Sequence, residues 1–118
     1  MILVDTSVWV AHLRRAEPRL ARLLEDGQVI SHPFIIGELA CGSLRRRGKL
    51  LSYLDQLELV PVASNPEARN LIEAHRLMGQ RLGWIDVHLL ASTLIAGAEL
   101  WSLDRQLVRA AQRLGVAA

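Results

Sequence analysis

Four acidic residues lie in apolar segments of the sequence, where a carboxylate is out of place: Asp5 in ILVDTSVW, Glu38 in FIIGELACG, Asp86 in GWIDVHLLAS and Asp104 in LWSLDRQLV. None of them has an arginine or lysine three or four positions away, the spacing at which opposite charges pair on a helix surface. Burying a lone carboxylate costs several kcal/mol unless something compensates its charge. We therefore predict that these four side chains meet at one shared site.

Clustered carboxylates predict a particular chemistry. Two unit charges about 4 Å apart repel by roughly 4 kcal/mol at an effective dielectric constant of about 20, so a stable cluster needs protons or cations. Sites made only of oxygen ligands suit Mg²⁺ or Mn²⁺, which keep several waters and often share phosphate oxygens. No zinc-type spacing competes, because Cys41 is alone and the four histidines are scattered. We expect His12, His32, His75 and His88 at the surface or packed between helices.

Each of the four acids also has an ordinary structural interpretation. Asp5 and Asp104 each follow a predicted strand and precede a predicted helix, where a carboxylate caps the free N–H groups. Asp86 lies near the start of its helix, where it would cap or interact favourably with the helix dipole. Glu38 lies in mid-helix, beyond reach of those N–H groups, and its alternative is a pair with a distant arginine. It is the set of four that predicts a site.

The elements that must position these acids follow from the pattern of the chain. Short β-rich runs alternate with helical patterns, which is typical of βαβ units around a parallel sheet. The predicted strands cover residues 2–4, 28–31, 57–62 and 99–103. The predicted helices cover residues 6–14, 19–26, 33–44, 49–56, 66–80, 85–96 and 105–114. In an open α/β sheet, ligands bind at the carboxyl ends of the strands, which is where Asp5 and Asp104 lie.

Composition narrows the function classes. The chain has 118 residues with 51% hydrophobic content and a single cysteine, which predicts one compact domain in a reducing compartment. Its longest uncharged stretch, residues 87–98, is too short to cross a bilayer, and no signal peptide is visible. We expect a cytoplasmic protein with no membrane partner. The net charge of +2 is less basic than that of a typical nucleic-acid binder.

With these four segments in this order, the sequence resembles the PIN domain, and within that family the VapC-type toxin ribonucleases. The resemblance implies an α/β fold. It has a parallel sheet of about four to five strands surrounded by helices in three α/β/α layers, and a single PIN domain covers residues 1–118. Residue by residue, Asp5, Glu38, Asp86 and Asp104 fall on the acidic positions of the family. The resemblance places Thr6 or Ser7 at the polar position beside the first acid, and Ser102 at the hydroxyl position before the last.

The same resemblance implies a function. It implies Mg²⁺- or Mn²⁺-dependent cleavage of RNA by a toxin that forms homodimers and is inhibited by a cognate antitoxin. One or two ions held by the four acids would activate water, with Asp5 and Asp86 as the first direct ligands. The chain departs from the family pattern by ending soon after the last predicted helix, so a final edge strand must be very short or absent. The alternative is a catalytically silent PIN-like module that binds RNA or a protein partner.

Two further features have two interpretations each. The basic run of Arg45, Arg46, Arg47 and Lys49 would either guide an RNA backbone or form a solvated helix end. The three tryptophans flank the acidic segments, where an exposed indole ring would stack on RNA bases. Because each tryptophan lies in an apolar run, we predict core packing for Trp9, Trp84 and Trp101.

Overall fold

The computed structural model describes all 118 residues, in four β-strands and seven α-helices. The strands are β1 (Ile2–Val4), β2 (Val29–Ser31), β3 (Glu58–Leu59) and β4 (Glu99–Trp101). The helices are α1 (Thr6–Arg14), α2 (Pro18–Glu25), α3 (Pro33–Cys41), α4 (Arg47–Asp55), α5 (Asn65–His75), α6 (Trp84–Ala96) and α7 (Arg105–Arg113). The longest helix has 13 residues, and none combines the length and apolar character that crossing a bilayer requires.

The strands form one parallel sheet in the order β3-β2-β1-β4. Strand β1 lies in the interior of the sheet, and β4 pairs with it so that Val4 stands opposite Trp101. A single parallel bridge between Leu100 and Ala117 extends the sheet beyond β4. The prediction of about four to five strands, with a very short final edge strand, is confirmed. Parallel pairing also brings the residues that follow β1 and β4 to the same edge.

Helices cover both faces of this sheet. Leu3 and Val4 are neighbours in β1, so their side chains point to opposite faces, and both have an exposed fraction of 0%. A parallel sheet buried on both sides is the arrangement that crossover helices impose. The predicted three-layer α/β/α architecture is therefore confirmed.

Helix α6 is the most deeply buried of the seven and carries one of the four acids. All seven residues from 87 to 93 are buried, which is the pattern of a helix packed on all sides. The helix packs against α5 and β4. Its first turn, which contains Asp86, is therefore held in a fixed position at one end of the core.

The predicted elements all exist, and most of their ends are correct within two residues. Strand β1 and helix α1 have the predicted bounds. Helix α3 ends three residues early because Gly42 is already extended, with a ψ of 154°. Helix α5 stops at His75 instead of residue 80, because Arg76 adopts a left-handed backbone with a φ of 51°. Strand β3 is much shorter than predicted, since Pro61 has no N–H to donate to the ladder.

A buried histidine joins the start of α3 to α6. His32 has an exposed fraction of 0%; its Nδ1 accepts a hydrogen bond from the Phe34 backbone N–H at 3.0 Å. In the neutral ring the proton is then on Nε2, which lies 3.2 Å from Ser92 Oγ. Burial, and to a smaller extent the nearby His88, lower the pKa of His32 from 6.5 to about 4. Protonation would place a donor at Nδ1 facing the Phe34 N–H, so the fold requires the neutral ring.

This buried ring predicts a loss of stability in mild acid. The pKa of His32 is lower in the folded chain than in the unfolded chain, so protonation favours the unfolded chain. The contribution of the neutral His32 ring to stability is therefore complete above the unfolded pKa and is lost as pH falls. We expect the free energy of unfolding to drop by about 2 kcal/mol between about pH 7 and about pH 5. Urea denaturation measures this slope, which His32→Gln should flatten and His75→Gln, at an exposed histidine, should keep. A wild-type free energy of unfolding that is unchanged across this range would contradict the prediction.

Candidate functional site

Asp5 lies at the junction of β1 and α1, with its backbone in the sheet and its carboxylate among hydroxyl groups. Its N–H donates to Trp101 O at 2.9 Å. The side chain is at the N-cap position of α1 but makes no capping bond. Instead Oδ2 accepts hydrogen bonds from Ser7 Oγ at 2.9 Å and Ser102 Oγ at 2.7 Å. The capping interpretation of Asp5 is therefore wrong.

The two serines link the first and last strands through this carboxylate. Ser7 Oγ accepts a hydrogen bond from the Leu103 N–H at 3.0 Å, and Ser102 Oγ accepts one from the Asp104 N–H at 3.0 Å. Each hydroxyl thus uses its own proton for Asp5 and a lone pair for the backbone after β4. Since Asp5 and Ser102 each have an exposed fraction of only 7%, the orientation of the Asp5 carboxylate is set by buried contacts.

Asp104 and Asp86 lie at the starts of their helices and use one carboxylate oxygen each for the backbone. Asp104 Oδ1 caps α7 by accepting from the N–H groups of Gln106 at 2.9 Å and Leu107 at 3.2 Å. Asp86 Oδ2 accepts from the Gly83 N–H at 2.9 Å. The capping interpretation is confirmed for both. In each carboxylate, as in Asp5, the second oxygen has no hydrogen-bond partner in the chain and is available to a ligand.

Asp5 and Asp104 are close enough to Asp86 to influence it electrostatically. Asp86 is half-buried, and desolvation raises its pKa most strongly. The Gly83 N–H opposes this shift, while the negative charges of Asp104 and Asp5 raise the pKa further. No positive charge lowers the pKa of Asp86. The charge of this carboxylate is therefore left without a basic partner.

Glu38 is connected to the other three acids only indirectly. It is exposed on α3, and its Oε1 accepts a hydrogen bond from Thr6 Oγ1 at 2.7 Å. Thr6 is the residue after Asp5, so this bond joins α3 to the start of α1. Glu38 and Asp104 are both exposed, so the apolar segments around them do not bury their carboxylates. A helix-start or helix-surface position lets the carboxylate reach water while its backbone is packed.

Comparison with known families agrees with this geometry. A family model described as the PIN domain matches residues 2–113. The chain belongs to the PIN domain family. This PIN domain is 46% identical over 118 residues to Ribonuclease VapC32 of Mycobacterium tuberculosis, in strains CDC 1551 / Oshkosh and ATCC 25618 / H37Rv. Each match covers 99% of this chain and 95% of the relative. The resemblance stated from the sequence is confirmed.

Two solved structures share the fold. PAE2754 from Pyrobaculum aerophilum has a TM-score of 0.65 at 14% identity, over 92% of this PIN domain and 77% of that chain. VapC20 of Mycobacterium tuberculosis, a toxin that cleaves the sarcin–ricin loop, has a TM-score of 0.63 at 20% identity, over 93% and 95% of the two chains. At these identities the likeness concerns the fold, which is the α/β fold predicted from the sequence.

The three predicted hydroxyl residues of the PIN domain all contact an acid. Thr6 bonds to Glu38, while Ser7 and Ser102 bond to Asp5. Sequence reasoning missed the backbone donors, above all the Gly83 N–H that orients Asp86. The sequence signal for that donor was present, because an acid at the third helical position commonly bonds back to the N-cap residue.

The core-packing prediction holds for only one of the three tryptophans. Trp9 is 2% exposed, but Trp84 is 44% exposed, two residues before Asp86. The Trp84 ring stands perpendicular to the His88 ring, with centroids 4.6 Å apart. Trp101 is half-buried beneath the Arg19 guanidinium, which lies 4.4 Å from its ring centroid. The apolar run around Trp84 misled the prediction because the buried surface of α6 starts only after Asp86.

The uncompensated charge of Asp86 predicts a stabilising substitution. Without divalent ions at about pH 7, Asp86→Asn should raise the free energy of unfolding by on the order of 1 kcal/mol, because it removes a charge that burial desolvates and that Asp104 and Asp5 repel. The amide oxygen can still accept the Gly83 N–H. A raised pKa means that ionisation of Asp86 destabilises the fold, so the difference should vanish at pH values where the carboxyl is protonated.

Chemical denaturation in EDTA measures this effect. Glu73→Gln, at an exposed acid of α5, serves as the control and should change stability by no more than about 0.5 kcal/mol. An Asp86→Asn protein that is less stable than the wild type at neutral pH would show that neither desolvation nor repulsion makes the Asp86 charge destabilising.

Proposed function

We propose that this PIN domain is an endoribonuclease that hydrolyses RNA phosphodiester bonds as the toxin of a toxin–antitoxin pair. The observation that carries the proposal is that the negative charges of Asp104 and Asp5, from distant parts of the chain, act on Asp86, which has no basic partner. The 46% identity to Ribonuclease VapC32 over nearly the whole of both chains supports the same function. The unpaired carboxylates and the sequence identity together favour catalysis over a silent binding module, because uncompensated carboxylates cost stability and serve no purpose in a module that catalyses no reaction.

We further propose that Asp5, Glu38, Asp86 and Asp104 hold Mg²⁺ or Mn²⁺. The donor chemistry fits, since the free oxygens of Asp5, Asp86 and Asp104 are the hard ligands that these ions prefer. No group of three His, Cys, Asp or Glu side chains in the structure could hold a metal ion by itself. An ion held here would therefore take one or two carboxylates and keep several waters, as Mg²⁺ commonly does. When bound, such ions activate water and neutralise charge on the phosphate and the leaving oxygen.

The chain itself orients the carboxylates. Ser7 and Ser102 donate to one oxygen of Asp5 and fix its rotation, and Thr6 does the same for Glu38. Neither buried histidine is placed to accept a proton from water. Both ring nitrogens of His32 have partners, and His88 is 1% exposed with its Nε2 3.2 Å from Asn65 Oδ1. We therefore assign no side chain of this protein as a general base.

The proposed partners are the RNA substrate, a cognate antitoxin and a second copy of the chain. A groove of about 570 Å³ between α1 and α4 supports the antitoxin proposal. None of the four acids lines it, and it combines apolar walls with the positive charges of Arg45, Arg46 and Lys49. Exposed Leu94 and Ile95, side by side on α6, support the homodimer.

Cleavage of an RNA panel tests the activity. With Mg²⁺ or Mn²⁺ we expect defined RNA fragments, and EDTA should abolish them. Asp5→Asn and Asp86→Asn should each lower the rate by on the order of 100-fold or more, since even changing the residues that support metal ligands commonly costs that much. Glu73→Gln is the matched control and should cleave normally. Cleavage that survives EDTA or both Asp→Asn substitutions would refute the proposed mechanism.

Metal binding is testable apart from catalysis. Mg²⁺ or Mn²⁺ should raise the melting temperature of the wild type by a few degrees, because a ligand that binds only the folded state stabilises it. Asp86→Asn should show a smaller rise. Equal shifts in the two proteins would mean that these carboxylates do not hold the ion, and a calorimetric titration without heat would favour the silent PIN-like module.

A further inference from the structure

Another groove is lined by polar residues and glycine, and three of its six lining residues are arginines. It encloses about 310 Å³ between the segment that follows α5 and the outer side of α7, and its lining contains no acid and no hydrophobic side chain. The lining residues are Gly79, Gln80, Arg81, Gln106, Arg109 and Arg113. Three guanidinium groups around one groove, without a carboxylate to pair with, form a site for an anion. Arginine is the side chain best suited to phosphate, because its planar fork donates two parallel hydrogen bonds.

The two walls of this groove are held together by Arg113. Its guanidinium donates from Nη1 to Gln80 Oε1 at 2.9 Å and from Nη2 to the His75 carbonyl at 2.8 Å. Gln80 is itself fixed, since its Nε2 donates to the Arg76 carbonyl at 3.0 Å. Hydrogen bonds within the protein therefore hold the two walls of the groove in place. Arg81 and Arg109 do not hold the walls together, because neither side chain makes a hydrogen bond within the protein. Both are exposed.

Both walls lead directly to the acidic site. The first wall continues from Arg81 to Gly83, whose N–H holds the Asp86 carboxylate. The second wall begins at Gln106, whose N–H holds the Asp104 carboxylate. The charges of Asp86 and Asp104 interact with each other. Each wall is therefore continuous with a backbone donor that holds one of the acids, so a chain lying in the groove would lead toward them.

The charges of the two features have opposite signs and do not cancel. A bare phosphodiester is repelled by the carboxylates, so a substrate that approaches them needs positive charge along the rest of its backbone. We propose, on the basis of the ribonuclease function proposed above, that this groove binds backbone phosphates of single-stranded RNA next to the bond that is cut. Arg81 and Arg109 contact the phosphates, while Arg113 is a positioning residue that keeps the walls together.

Binding of labelled single-stranded RNA of about 12 nucleotides, followed by fluorescence anisotropy in EDTA, tests this proposal. The double variant Arg81→Gln, Arg109→Gln should bind on the order of tenfold more weakly at about 50 mM salt. Each lost phosphate contact lowers the slope of log affinity against log salt by about 0.7, so the slope should fall by about 1.4. The loss should be equal for two RNAs of unrelated sequence, because phosphates carry no base identity.

The matched control is Arg22→Gln, Arg69→Gln, which removes the same two charges from exposed positions outside the groove. It should keep the wild-type slope. The groove assignment is overturned by a wild type that does not bind RNA, by an unchanged slope in the groove variant, by an equal loss in the control, or by a loss confined to one sequence.

Cleavage by the wild type with Mg²⁺, measured on the same RNA, separates this inference from the proposed function. Cleavage together with an unchanged groove variant overturns the groove alone. Absence of cleavage together with a reduced slope overturns the ribonuclease and supports the groove as a nucleic-acid site.

Discussion

Repulsion between like charges is the constraint around which the site is organised. Burial raises the cost of ionising Asp86, and the negative charges of Asp104 and Asp5 raise that cost further. The surrounding protein offers hydroxyls and backbone N–H groups but no guanidinium or ammonium group. These neutral donors stabilise and orient each carboxylate without neutralising it. The arrangement therefore keeps the negative charge of the carboxylates available for a cation. An arginine partner would have neutralised that charge.

The order of the strands explains how residues nearly one hundred positions apart come together. Because β4 pairs directly with β1, Asp5 and Ser102 leave the sheet side by side, and their bond at 2.7 Å is buried. Helix α6, whose residues 87–93 are all buried, supplies Asp86 from a third direction. The carboxyl edge of a parallel sheet is where such groups converge in α/β proteins generally. Here the convergence is maintained by β-pairing and core packing, not by attraction among the acids.

The distribution of arginines is the counterpart of this acidic centre. A net charge of only +2 argues weakly for a nucleic-acid partner, yet the folded chain gathers arginines around a groove beside the acids while leaving the acids unpaired. Local charge, rather than net charge, governs how a polyanion approaches a surface. The metal-dependent ribonuclease proposed above would use both signs in neighbouring places, positive charge for the RNA backbone and negative charge for the ion.

The sequence by itself determined the elements and the chemistry of the centre, because both are written in local patterns. Asp5 follows strand β1 with hydroxyls at Thr6 and Ser7, and each acid stands in an apolar segment with no base three or four positions away. Only the tertiary structure decided which atoms point into water: Trp84 was expected in the core and is 44% exposed. It also decided that Arg81 and Arg109 line one groove. Packing between distant segments determines which side chains are exposed and which residues lie next to one another. The spacing of residues along the chain encodes neither.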